Sequence, residues 1–254
     1  NCSVSIPEEL PRRQKFRRQR LLHLLEELDV AAGASSSIYL TPGERLGQPG
    51  QPLGFPDLAE AVPALERAIA SSTTGAVIFW GQAWRLAVLP PFPLRQSLRA
   101  SAYHTGPLRS LLQADYTVAL VLLRLGPYAI GVFKGEELLV SKVDSRYVHS
   151  RHRQGGSSAH RFERGREKQM ERLFTEACAV ARQRLEPYAG RIDYLIYGGE
   201  RYTLLGFQKR CGFLNQFADR TLKRTLSVHQ PKRATLEVAI QDVWSSDVFL
   251  WEHE

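Results

Sequence analysis

A chain of 254 residues that is 43% hydrophobic and 24% charged has material for one large core or two ordinary ones, which excludes a fibrous or wholly disordered polymer. Its 34 Lys and Arg outnumber 26 Asp and Glu, and the net charge of +8 favours an anionic partner such as nucleic acid or a ribosome. Cys2, Cys178 and Cys211 fall in no CxxC or paired metal spacing, so neither a disulfide framework nor a zinc site is expected, and Cys178 reads as a core residue. No apolar run approaches the ~20 residues of a membrane span. The start lacks the charged-then-apolar plan of a signal peptide, and the expected setting is cytoplasmic.

Residues 12–28 read as one helix, with Phe16, Leu21, Leu22, Leu24, Leu25 and Leu28 as its apolar stripe and six cations crowding its first half. Those cations oppose the helix dipole, and an RNA-touching arm and a solvated helix end are both open. Residues 37–40 read as a strand and 47–56 as a Gly/Pro/Gln-rich surface loop. A helix is expected over 57–71 with Pro63 as a possible kink, strands over 76–80 and 85–89, and a short helix over 107–113. This half shows no catalytic constellation.

The second half opens with a nearly continuous apolar run at 116–124, the pattern of a buried strand. Alternating strands at 128–134 and 138–143, joined at Gly135-Glu136, complete a three-strand meander. A long helix follows over about 161–187, with Met170, Leu173, Phe174, Ala177, Ala181 and Leu185 on its core face. Strands are expected at 192–197 and 225–229, and helices at 200–211 and 231–245, with Trp251 packing the tail.

Between the meander and the long helix lies a basic, glycine-centred stretch. Arg146, Arg151, Arg153, Arg161, Arg164, Arg166 and Lys168 face only two acids, Glu163 and Glu167, and Gly155-Gly156 sits among them. A Gly-Gly pair lets backbone approach a partner closely, and the charge makes that partner anionic. These cations, with His160, are the candidate RNA-binding residues. Their bland alternative is a solvated charged face.

The segment Arg153-Gln154-Gly155-Gly156-Ser157-Ser158-Ala159-His160-Arg161-Phe162 resembles the loop-to-helix signature of the archaeo-eukaryotic class-1 peptide-chain release factor superfamily. There Gly-Gly-Gln is followed by Ser-Ala, a variable residue and Arg-Phe. The match covers Gly155, Gly156, Ser158, Ala159, Arg161 and Phe162, and Ser157 stands where the glutamine would be. Within the superfamily the chain is similar to the bacterial and quality-control branch, whose members release nascent chains from peptidyl-tRNA. The resemblance implies an α/β protein: a mixed-sheet, ribonuclease-H-like release-factor central domain over 114–254, preceded by a smaller α/β unit over 1–113.

It also implies a chemistry. Peptidyl-tRNA hydrolysis needs a place for a water and a donor for the developing oxyanion, and a backbone N–H can be that donor. Gly155 and Gly156 would let the Ser157 N–H reach the ester, and the Ser157 hydroxyl is a candidate to hold the water; Ser157 or Ser158 as a nucleophile is the weaker idea, because no GxSxG elbow or Asp-held His is visible. The implied partners are large-subunit rRNA and peptidyl-tRNA, with no membrane, DNA, cofactor or metal. Asp144, Asp193 and Asp242 form no legible metal cluster, and Gly198-Gly199-Glu200 belongs to no GxGxxG or Walker motif. Two alternatives stand beside release: a non-catalytic ribosome-binding factor, and a nuclease using His152 and His160 on the tRNA acceptor end.

Overall fold

The computed structural model describes residues 11–46, 56–148 and 159–251. The chain divides into two compact units, Asn1–Ala114 with Trp244–Glu254, and Asp115–Val243. Residues 244–254, expected with the second unit, thus group with the first, and Trp251 packs edge-on against Trp80 there at 5.1 Å. Among the described residues no helix is long and apolar enough to cross a membrane.

The first unit contains β1 (Arg12–Phe16), α1 (Arg18–Val30), β2 (Ser35–Leu40), α2 (Pro56–Ala70), β3 (Ala76–Gly81), β4 (Arg85–Leu89), β5 (Leu98–Ala100) and α3 (Gly106–Gln113). A last strand, β11 (Ser246–Leu250), completes an antiparallel sheet ordered β1-β11-β4-β3-β2-β5. β3 is buried along its whole length because side chains cover both sheet faces. Leu58, Leu65 and Ile69 of α2 pack on Ile38, Ile78 and Trp80. On the expected helix 12–28 the structure differs. Residues 12–16 pair with β11 instead, which buries Phe16 and sets Arg13 2.9 Å from Asp247, and the helix starts at Arg18. Long-range pairing here overrides the helical spacing.

The second unit contains β6 (Thr117–Leu123), β7 (Pro127–Lys134), β8 (Glu137–Ser145), α4 (Ala159–Leu185), β9 (Tyr194–Gly199), α5 (Arg201–Arg210), β10 (Thr221–Leu226) and α6 (Arg233–Val243). Its sheet runs β10-β9-β6-β7-β8. The β6-β7-β8 meander is antiparallel, while β9 and β10 run parallel to β6, so the sheet is mixed in the ribonuclease-H-like order. Ala119, Val121 and Leu123 of β6 join the core beneath α4 and α5. On β7, the position of Gly131 approaches Leu236 of α6. Strand side chains alternate between faces, so a strand covered on both reads as the unbroken apolar run seen in the sequence.

Two strands are displaced from their expected places: β9 starts at Tyr194 and β10 at Thr221. Lys223 and Arg224 interrupt the alternation in β10 and hide it. The stretch Gly212–Arg220 is a 3-10 helix that puts Phe213, Leu214 and Phe217 into the core. One expectation is corrected outright. Cys178 of α4 and Cys211, which ends α5, form a disulfide with Cα atoms 5.3 Å apart. They lie 33 residues apart in sequence, and only the packing of α4 on α5 brings them together.

Candidate functional site

The parallel strands β6, β9 and β10 all finish at one end of the second sheet, and β8 finishes there too. Backbone bonds tie this end together. Arg146 N–H donates to Gly126 O at 2.9 Å, and Arg124 N–H donates to Pro127 O at 3.0 Å. The Arg124 side chain donates to Val228 O at 3.1 Å, beyond β10. At the close of β9, Gly199 has φ +135°, and a β-carbon there would stand 1.9 Å from Leu123 O, so only glycine fits. Gly198-Gly199 is thus a structural turn that delivers Glu200 to the start of α5.

Glu200 caps that helix. Its carboxylate accepts from Tyr202 N–H at 2.9 Å, Thr203 N–H at 2.8 Å and the Thr203 hydroxyl at 2.6 Å. The Thr203 hydroxyl is the main reason that its carboxyl lies below the ordinary carboxylate range, with the two N–H groups and the Arg124 charge adding to it. Arg146, just past β8, pairs with Glu176 of α4. The acids Glu200 and Glu176 at this end are therefore already engaged.

α4 carries the site's charge because its apolar stripe is shorter than the helix. The stripe begins at Met170 and Leu173, and the positions one and two turns earlier on that face are Arg166, Glu167 and Glu163. Residues 159–168 are the first ten of α4, about 15 Å of helix at 1.5 Å per residue. Arg164, Lys168 and Arg172 recur every four residues along one exposed flank of α4. Glu171 instead turns to α5 and meets Arg210 at 2.5 Å.

The sequence-predicted residues fall as follows. Arg164 and Lys168 are exposed on α4, Arg166 is half-buried, and Arg146 lies at the end of β8. His160 and Arg161 belong to the first turn of α4, but their side chains lie outside the described residues. Gly155, Gly156, Ser157, Ser158, Arg151 and Arg153 lie outside the described residues altogether. The described ends of β8 and α4 bracket them in the chain. Sequence reasoning singled out Glu200 only within the Gly198-Gly199-Glu200 turn, and it missed Arg124 and Tyr202, which join this end only through the β6-β9 pairing. The one local signal at Arg124 is a charged residue directly after an apolar strand. Among the described residues no three His, Cys, Asp or Glu side chains group as a metal site requires.

Comparison with known proteins gives the class. A curated peptide chain release factor subunit 1 of Archaeoglobus fulgidus is 30% identical over 109 residues, which are 43% of this chain and 27% of that protein. The chain thus aligns with about a quarter of the archaeal factor's length. The chain belongs to the Actinobacteria/chloroflexi VLRF1 release factor family, whose profile matches residues 116–249. Solved structures show fainter likeness. An archaeal translation termination factor, aRF1, aligns at 17% identity over 90% of this chain and 73% of its own, with a TM-score of 0.39. The Vms1 mitochondrial localization core aligns at 15% identity over 76% and 82%, with a TM-score of 0.43.

Proposed function

We propose that this chain is a ribosome-associated peptidyl-tRNA hydrolase of rescue or quality control, acting in the cytoplasm. The observation that carries this is the run Gly155-Gly156-Ser157-Ser158-Ala159-x-Arg161-Phe162, set between a meander and a basic helix in a member of a release-factor family. On this reading the residues enter the peptidyl transferase centre of the large subunit. Water attacks the ester carbonyl carbon, the bond to the ribose oxygen breaks, and that oxygen takes a proton. The Ser157 N–H stabilises the oxyanion, the Ser157 hydroxyl holds the water, and Ser158 stands next to it in the same run. Arg146, Arg151, Arg153, His160, Arg161, Arg164, Arg166 and Lys168 meet phosphates of rRNA or of the tRNA acceptor end.

A second reading has its own observation. Ser157 stands where release factors carry glutamine, which favours a ribosome-binding factor without chemistry. Stalled ribosome–nascent chain complexes separate the two. Intact deacylated tRNA after incubation is the expected product, and Gly156→Ala should abolish it while sparing ribosome binding. Bound protein with untouched peptidyl-tRNA would overturn hydrolysis and leave the binding reading. Shortened tRNA would identify a nuclease.

A further inference from the structure

Seven large apolar or aromatic side chains stand well exposed among the described residues, and four of them, Leu125, Tyr147, Tyr202 and Leu205, belong to the sheet end described above. Leu125 lies in the β6–β7 turn, and Tyr147 follows β8. Tyr202 and Leu205 are three residues apart on α5, hence on one helix face. Tyr202 is 80% exposed and Tyr147 73%. Burial does not explain this placement, because the core beneath α5 is already filled by Leu204 and Phe207.

The surroundings select the partner. Arg124, Arg146 and Arg201 are the chain neighbours of Leu125, Tyr147 and Tyr202, while Glu200 spends its oxygens on the start of α5 and Glu176 pairs with Arg146. An exposed aromatic among cations fits a nucleobase, which offers a stacking face beside a phosphate. The base must be unpaired, because a duplex hides its faces.

We propose that Tyr202, with Leu205 and Arg201, is a stacking platform for unpaired nucleotides of ribosomal RNA. This rests on the ribosome as partner but not on hydrolysis. The test measures binding of the full chain to large subunits stripped of tRNA, and to free deacylated tRNA. Tyr202→Ala should weaken subunit binding about tenfold. Tyr202→Phe, which keeps the ring, should stay within about twofold of the parent. The loss at Tyr202→Ala should be the same at low and high salt, whereas Arg201→Ala should flatten the salt dependence. Unchanged subunit binding by Tyr202→Ala overturns the proposal and points to a protein-facing surface. A loss confined to free tRNA also overturns it and assigns the surface to the acceptor end. Because the readout is binding, a failure of ester hydrolysis would leave these outcomes untouched.

Discussion

Gly206 of α5 lies against the ring of Phe174 on α4, so closely that a β-carbon there would stand 3.0 Å from Cε2 and 3.3 Å from Cζ. The two helices approach each other at this point because one lacks a side chain. Gly206→Ala gains about 1 kcal/mol of helix propensity but overpacks a buried ring at about 1–3 kcal/mol, so a net loss of about 1 kcal/mol is expected in urea unfolding. Gly165 is the counter-case. It lies in the extended part of α4 with nothing within 4 Å of its β-carbon position, and Gly165→Ala should raise helicity and slow amide exchange in the first turns. One substitution thus acts with opposite signs on two helices.

The disulfide between Cys178 and Cys211 crosses the same interface. Closing a 33-residue separation restricts the unfolded chain, and reduction should lower stability by about 3–4 kcal/mol. The check is the denaturant midpoint with and without a reductant. A midpoint that does not move would mean that packing alone holds α4 on α5.

Glu200 gives the start of α5 an acid-sensitive cap. Its folded-state carboxyl is held below the ordinary range, so its contribution is complete above the unfolded carboxyl's pKa and is lost as pH falls through the depressed folded value. Glu200→Ala should cost about 1 kcal/mol at neutral pH, the usual size of a lost cap. It should also flatten the fall in stability between about pH 5 and about pH 3. Unfolding midpoints measured across that range would reveal either result.

The cations along α4 make a prediction about salt. If Arg164 and Lys168 meet phosphates, removing either should reduce the slope of log K against log salt by about 0.7–0.9 and weaken binding most at low salt. Both side chains are exposed, so thermal stability should stay within about 0.5 kcal/mol of the parent.

The second unit was the more legible half of this sequence. The apolar run of β6, the hairpin at Gly135 and the stripe from Met170 to Leu185 are local patterns, and each is reproduced in the fold. What stayed hidden depends on distant partners. β1 pairs with residues 230 or more positions away, so its five residues carry a helix-like pattern and a strand's position. Cys178 finds Cys211 only across packed helices. Tyr202 is an ordinary helical tyrosine in sequence, and its exposure near the end of the sheet where β6 and β9 finish becomes visible only once those strands are paired. Of the candidate site, the charge on α4 was readable, because exposed cations at four-residue spacing need no tertiary information.

β11 occupies the slot between β1 and β4, yet it is encoded after the whole of Asp115–Val243. During synthesis, therefore, β1 has no neighbour in its sheet until residues 246–250 have been made. The second unit can acquire its structure first, while the first waits with an open edge. A chain cut at residue 243 would keep every strand of the second sheet and leave the first one split, with Arg13 and Phe16 deprived of the strand that now receives them.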